Sequence, residues 1–349
     1  MNEVTVGVLG ATVTVGQRFI QLLADHPWFK VTALAASDRS AGQRYADICH
    51  WLPSKPMPEG VRDVIVRPTE HDLDCQLVFS ALPSGLALPV EQYFARAGYE
   101  VCSNAAAHRM DTDVPLLIPE VNANHTALID VPRHRRGWRG FIVTSANCSA
   151  TQLTLAVKPW QDAFGLCKVS VVTTQAVSGA GYPGVAAMDI LDNVIPFVSG
   201  EEVKAEREPL RLLVTLQDAQ VANAPFVISA QCNRAPIRDG HTEYISVEFE
   251  RKPEIGEAMA ALEGFHGPPK VANLPNSPTQ PICVQKEPDR AQPIRDRDAQ
   301  KGMSVSVDRV RPCPVFDVKV AVLGHNTLRG AAGGSIHNAE LLVAQQWVT

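Results

Sequence analysis

Val4-Thr5-Val6-Gly7-Val8-Leu9-Gly10-Ala11-Thr12-Val13-Thr14-Val15-Gly16, running on through Gln17 to Ala24, decides the fold. Val4, Val6 and Val8 alternate with Thr5 and Gly7, the period of a strand. Gly10 to Gly16 is a small-residue loop, and Gln17 to Ala24 reads as an amphipathic helix. Strand, glycine-bearing turn and helix form the setting in which a dinucleotide pyrophosphate rests on a helix N-terminus. The same pattern also serves as a plain strand-to-helix turn, so the loop by itself leaves both readings open.

Further strands are predicted over Lys30 to Ala36, Gln76 to Leu82, Tyr99 to Ser103 and Gly140 to Thr144, with a helical stretch over Leu88 to Ala97. Strand and helix in regular turn predict an α/β fold, a doubly wound Rossmann-type parallel sheet over residues 1–147. Beyond Cys148 the pattern changes to longer strands at Lys168 to Ala176, Thr242 to Glu250, Ser304 to Asp308 and Val315 to Leu323. A helical stretch is expected near Ala186 to Val194. This predicts a second, α+β domain over 148–325. Gly264 to Gly302 holds seven prolines and reads as a surface loop or an arm lying on a neighbouring subunit. Arg329 to Trp347 reads as small residues opening a helix, and residues 326–349 are assigned back to the first domain.

The 349 residues suffice for two domains, and 32 basic against 37 acidic side chains leave a net charge of −5 without long runs of either sign. That balance points away from nucleic acid and from anionic membrane surfaces. The apolar runs fall short of the roughly 20 residues of a membrane span. The opening Met1-Asn2-Glu3-Val4 has no basic or apolar leader, so a cytoplasmic protein is expected. Eight cysteines without a Cys-x-x-Cys pair suit reduced thiols, and the ten histidines show no metal-ligand spacing.

Two local features carry chemistry. Ser37-Asp38-Arg39-Ser40 closes the second strand; an arginine flanked by hydroxyls suits the 2′-phosphate of NADP, the alternative being a solvated surface charge. Cys148, in Ser145-Ala146-Asn147-Cys148-Ser149, opens a predicted helix running to about Phe164. The partial positive charge there is expected to lower the thiol pKa, and the free N–H groups to hold an oxyanion. His241, at a turn entering a strand, is the candidate acid/base partner; an isolated histidine is otherwise a surface or satisfied core residue. Nucleophilic cysteine, histidine and a nicotinamide loop together are what a thioester-forming aldehyde dehydrogenase requires.

At these residues the chain resembles the aspartate-β-semialdehyde dehydrogenase family in its fungal and archaeal form. The resemblance rests on Gly7-Val8-Leu9-Gly10-Ala11-Thr12, Ser37 to Gly42, His108-Arg109-Met110, Pro119-Glu120-Val121-Asn122 and Asn147-Cys148-Ser149. It continues through Gln175 to Gly184, Gly200-Glu201-Glu202-Val203-Lys204, Asp239-Gly240-His241-Thr242 and His325 to Gly333. It implies Cys148 as nucleophile, His241 as general acid/base and Gln175 as the residue orienting substrate. Arg234 is implied for the substrate α-carboxylate, Glu201 for its α-ammonium, Arg109 and Lys204 for phosphate, with Asn147 beside them. NADP(H) contacts are implied at Gly10, Thr12, Val13, Thr14, Val15, Ser37, Arg39, Ser40, Ser178, Gly179 and Asn326. The implied reaction reduces aspartyl phosphate to the semialdehyde in amino-acid biosynthesis, in a homodimer or homotetramer built through the second domain.

Three positions depart from the family pattern: Val13 stands where a glycine is usual, Ser145-Ala146 where Asn-Pro is usual, and Ala105-Ala106-Ala107 where a more polar stretch with a lysine is common. A positive φ at Val13 would cost roughly 1–2 kcal/mol; otherwise its methyls would crowd the pyrophosphate. The departures leave open a paralogue with another acyl phosphate or aldehyde as substrate, or with impaired cofactor binding. A non-catalytic nucleotide-binding protein is the reading from a different class.

Overall fold

The computed structural model describes residues 3–69, 72–216 and 222–348. Seven strands, β1 (Val4–Leu9), β2 (Phe29–Ala36), β3 (Arg67–Pro68), β4 (Leu77–Ser80), β5 (Glu100–Ser103), β6 (Leu116–Leu117) and β7 (Phe141–Ser145), form one sheet in the order β3-β2-β1-β4-β5-β7-β6. Every pairing in it is parallel, as the alternation of strands and helices predicts. Both faces of a parallel sheet are covered, which is why β1 is buried almost throughout rather than on alternate residues.

The loop after β1 leads into α1 (Thr14–Leu23), three residues earlier than the periodicity suggests. Its buried face carries Gln17, Phe19, Ile20 and Leu23, helical spacing against the sheet. A Cβ on Gly16 would collide with the carbonyl of Gly10, so close approach of loop and helix requires glycine there. Val13 has φ −82°, an ordinary extended conformation, so the valine causes no backbone strain. α2 (Ser84–Ala97), between β4 and β5 in the chain, packs on the sheet over β5 and β7 and ends on Gly98 in the left-handed conformation.

The second sheet comprises β8 (Leu166–Gln175), β9 (Val227–Arg234), β10 (His241–Phe249), β11 (Ile282–Val284), β12 (Val305–Pro312) and β13 (Val318–Gly324), in the order β11-β12-β13-β10-β8-β9. It is mixed: β8–β9 and β11–β12 are parallel, the other pairs antiparallel. The long helix α3 (Cys148–Phe164) follows β7 directly, and its Leu153, Val157 and Trp160 share one core with Val171, Ile245 and Val320 of this sheet. Fully burying each such side chain contributes about 1.5–3 kcal/mol. Thus α3 leaves the first sheet and packs on the second, placing its first residue where the two units meet.

Several expectations are corrected. The helix near Ala186 to Val194 is a single turn, Ala187–Ile190. Gly264 to Gly302 is not loop throughout: β11 pairs with β12, and short turns occupy much of the rest. Two further helices, α4 (Glu201–Leu212) and α5 (Ile255–Glu263), and the strand β9 have no counterpart in the sequence reading. The C-terminal stretch is a π turn over Leu328–Ala332 followed by α6 (Gly333–Ala344), which stops short of Trp347. Ile336, Ala339 and Leu342 of α6 lie in the same core as Val6 and Val8 of β1. Among the described residues no helix is long and apolar enough to cross a membrane, and no cluster of three His, Cys, Asp or Glu side chains is arranged to hold a metal ion.

Candidate active site

Cys148 is the first residue of α3, and Asn147 caps the helix: its Oδ1 accepts the N–H groups of Ser149 and Ala150 at 3.0 and 3.2 Å. These are the donors expected to be open to an oxyanion; the cap occupies them instead. The Ser145-Ala146 departure is accommodated, with Ser145 Oγ accepting from Asn338 Nδ2 of α6 at 3.2 Å.

The second sheet supplies the opposite wall. Gln175 lies beside Arg234 across β8–β9, and His241 opposite Gly324 across β10–β13. His241 Nε2 is 3.3 Å from Cys148 Sγ. The backbone N–H of Ala176 donates to His241 Nδ1 at 3.0 Å. Because that N–H can only donate, Nδ1 is unprotonated and the ring is neutral, its proton on Nε2 and directed at the sulfur. Burial, with Arg234 close by, holds the imidazole pKa down at about 3, against a smaller raising effect of Glu201.

The thiol moves opposite to expectation. Burial, reinforced by the Glu201 carboxylate, pushes Cys148 up to about 12, outweighing Arg109, the Ser149 N–H and Lys204, which pull it down. The helix N-terminus acts as expected but loses to desolvation, so the free protein holds a thiol and a neutral imidazole rather than an ion pair. Alkylation of Cys148 by iodoacetamide, followed on its own peptide by mass spectrometry, should therefore rise about tenfold per pH unit from pH 7 to 10. A plateau beginning below pH 8 would contradict the raised pKa.

Around this pair the side chains are mutually engaged. Gln175 Nε2 donates to Ser149 Oγ at 3.0 Å and lies 3.5 Å from Glu201 Oε2. Glu201 accepts from Lys204 Nζ at 2.7 Å and from Asn147 Nδ2 at 2.9 Å, and these partners hold its carboxyl below the usual range in spite of burial. Arg234 Nη1 donates to the Ala176 carbonyl at 2.7 Å. Arg109 reaches Glu208 Oε1 at 3.1 Å and the Asn104 carbonyl at 2.9 Å.

The structure brings most of the expected residues to one open cleft of about 350 Å³. Its lining includes Val13, Thr14, Val15, Arg109, Asn147, Cys148, Ser178, Gly179, Glu201, Lys204 and Asn326. His241, Gln175 and Arg234 stand buried behind it. Asn326 ties two loops together, accepting from Gly240 N and donating to Ser178 Oγ, each at 2.9 Å. A Cβ on Gly330 would lie 2.6 Å from that of Cys148, so the turn after β13 closes directly over the first residue of α3. Gly10 and Thr12 sit in the loop just behind the lining, whereas Ser37, Arg39 and Ser40 lie past the end of β2, outside the lining, with Ser37 and Arg39 exposed.

Glu208 is the site residue that sequence reading missed. Its signal is the spacing Glu201, Lys204, Glu208, Arg211, which places charged side chains on one helical face. That face is turned inward: Glu201, Glu208 and Arg211 are all buried.

Residues 5–129 match the family model described as semialdehyde dehydrogenase, NAD binding domain, and residues 157–329 that described as semialdehyde dehydrogenase, dimerisation domain. The aspartate-semialdehyde dehydrogenase of Archaeoglobus fulgidus is 51% identical over 343 residues, covering 98% of each chain. That of Cryptococcus neoformans is 44% identical over 354 residues, covering 98% of this chain and 97% of the relative. The crystal structure of the Candida albicans enzyme with NADP superposes with a TM-score of 0.91 at 38% identity, over 99% of this chain and all of that one. A strand-to-helix cysteine facing a buried histidine, both domain models and near full-length identity agree: the chain belongs to the aspartate-semialdehyde dehydrogenase family.

Proposed function

We propose that the protein is an NADP-dependent, phosphorylating aspartate-semialdehyde dehydrogenase that reduces L-4-aspartyl phosphate through a thioester on Cys148. The observation that carries this reading is the 3.3 Å approach of Cys148 Sγ to His241 Nε2 beside a cleft lined by Arg109, Lys204 and Glu201.

The loop after β1 fits a dinucleotide. The N-terminus of α1 has no side-chain cap, and the Thr14 hydroxyl is buried without a partner among the described residues. Donors so placed suit a pyrophosphate. Gly10, Thr12, Val13, Thr14 and Val15 would line it, Ser37, Arg39 and Ser40 would take the adenosine end with its 2′-phosphate, and Ser178, Gly179 and Asn326 the nicotinamide end. When bound, NADPH supplies the hydride.

The protein's own groups do the rest. Arg234 would hold the substrate α-carboxylate, Glu201 its α-ammonium, and Arg109 with Lys204 its phosphate, the guanidinium offering a fork that matches carboxylate and phosphate oxygens. Gln175 and Asn147 would orient the acyl group. The Cys148 sulfur adds to the acyl carbon, the carbon–oxygen bond to phosphate breaks, and phosphate leaves with the thiol proton. His241 Nε2–H would donate to the oxygen of the tetrahedral species, the acid arm of its expected acid/base role. After reduction the carbon–sulfur bond breaks, the sulfur regains a proton and the semialdehyde departs. Residues 1–147 with 326–349 would form the dinucleotide domain and 148–325 the catalytic and oligomerisation domain of a cytoplasmic homodimer or homotetramer. Its partners would be the small-molecule substrate and phosphate, not nucleic acid or membrane.

The test is oxidation of aspartate semialdehyde with NADP and inorganic phosphate, followed at the nicotinamide absorbance. Turnover that requires phosphate and prefers NADP to NAD is expected. A folded protein that binds NADP but does not turn over would favour the paralogue with a different substrate.

Val13 affects the same assay. The residue is 40% exposed at the cleft and its side chain makes no cap bond, so glycine there removes methyls without removing a cap. Val13→Gly should bind NADPH about fivefold more tightly, roughly 1 kcal/mol. Equal affinities in a fluorescence titration would show that the valine does not crowd the cofactor.

A further inference from the structure

We infer that Glu208 is a positioning residue that competes with phosphate for Arg109 and holds the nucleophile turn in place. The inference rests on the reading of Arg109 and Lys204 as the phosphate subsite.

Glu208 is 2% exposed and both its oxygens are engaged. Oε1 accepts from Arg109 Nη1 at 3.1 Å, and Oε2 accepts the backbone N–H of Asn147 at 2.6 Å. One carboxylate therefore joins the candidate phosphate-binding arginine to the residue that caps the Cys148 helix. Lys204 is likewise engaged, by Glu201 at 2.7 Å. The formal charges of Arg109, Lys204, Glu201 and Glu208 cancel, so the subsite is not a net cationic trap.

A phosphate arriving there brings roughly 1.5 to 2 negative charges at neutral pH and meets an arginine that already has a counter-ion. The pair differs from the buried Arg329–Glu120 pair, in which both carboxylate oxygens are taken by the guanidinium. Arg109 gives Glu208 one nitrogen and lines the cleft, whereas Arg329 is not among the cleft's lining residues. Binding the phosphate group less tightly in the ground state serves turnover, because affinity shared equally by bound and transition states does not raise kcat. The bond to Asn147 acts on the other side of the reaction, fixing the Ala146–Asn147 peptide one residue ahead of Cys148.

Glu208→Gln and Glu208→Asp separate the two effects. Inorganic phosphate is titrated as protection of Cys148 against iodoacetamide, and kcat and the phosphate KM are measured in the oxidation assay. Glu208→Gln leaves Arg109 without its counter-charge, so half-protection should need at least tenfold less phosphate, with kcat and phosphate KM falling together. Glu208→Asp keeps the charge but shortens the arm, so phosphate protection should stay within twofold of wild type while kcat falls. Unchanged or weaker phosphate binding in folded Glu208→Gln overturns the inference. If that variant does not fold, Glu208→Asp decides, and a tenfold change in its phosphate affinity in either direction overturns it. A wild type that phosphate neither protects nor activates refutes the phosphate subsite itself, a result distinct from failure at Glu208.

Discussion

Replacing Cys148 with serine should lower phosphate-dependent oxidation of aspartate semialdehyde by about 10⁴-fold or more and leave the fold intact. The oxygen is smaller than sulfur, so the close packing of Gly330 over residue 148 is preserved. What is lost is nucleophilicity. A thiol pushed up to about 12 is already reluctant to ionise, and a hydroxyl in the same surroundings is far more so. His241 offers no rescue, because the Ala176 N–H bonded to Nδ1 leaves its only exchangeable proton on Nε2, facing residue 148. NADP binding and the thermal midpoint should stay near wild type. Turnover above one-hundredth of the wild-type rate in Cys148→Ser would rule out the cysteine thioester.

The second large effect lies in the buried pair beneath the site. Glu120 is 3% and Arg329 2% exposed, with Arg329 Nη1 donating to Glu120 Oε1 at 2.8 Å and Nη2 to Oε2. Removing one partner of such a pair leaves a buried charge uncompensated and costs about 3–5 kcal/mol. Glu120→Ala should therefore unfold at markedly lower urea concentration, and turnover should fall with it. Arg329 belongs to the π turn Leu328–Ala332 that carries Gly330 onto Cys148. The pH dependence has a definite sign. Arg329 and His337 hold the Glu120 carboxyl down at about 2, below its ordinary 4.5, although burial alone would raise it. A carboxylate depressed in the folded state contributes stability above its unfolded pKa and loses it as pH falls toward the folded value. The stability gap between wild type and Glu120→Ala should thus be full above about pH 4.5 and close progressively toward pH 2. A constant gap across that range would mean that the ion pair does not carry the effect.

What was legible in the sequence is what local signals encode. The valine alternation of β1 and the glycine loop before α1 are written in contiguous residues, and so is the strand-to-helix junction at Cys148. The parallel sheet follows from the order of such segments. α4 was not legible, because its buried residues include Glu201, Glu208 and Arg211, and a hydrophobic pattern cannot reveal a helix whose inward face is charged. β9 escaped as well: most of its side chains are at least partly exposed, and its Ser, Gln and Asn do not form an apolar stripe.

The candidate site divides along the same line. Residue type and position single out Cys148 and His241, and the family resemblance implies Gln175, Arg109, Glu201, Lys204 and Arg234 beside them. Their spatial relation is decided elsewhere, by strand register that sets Gln175 beside Arg234 and His241 against Gly324. The charge state of Cys148 differs from the local expectation for a physical reason. A helix N-terminus is a local property, worth a fraction of a charge, whereas desolvation sums over every neighbour that excludes water. By itself, then, the sequence determined the fold class and the family and named the candidate reactive groups. Only the tertiary structure decided that the thiol is held protonated, that the imidazole is neutral with its proton on Nε2, and that Glu208 ties Arg109 to the turn before Cys148, since burial and long-range pairing do not exist until the chain has folded.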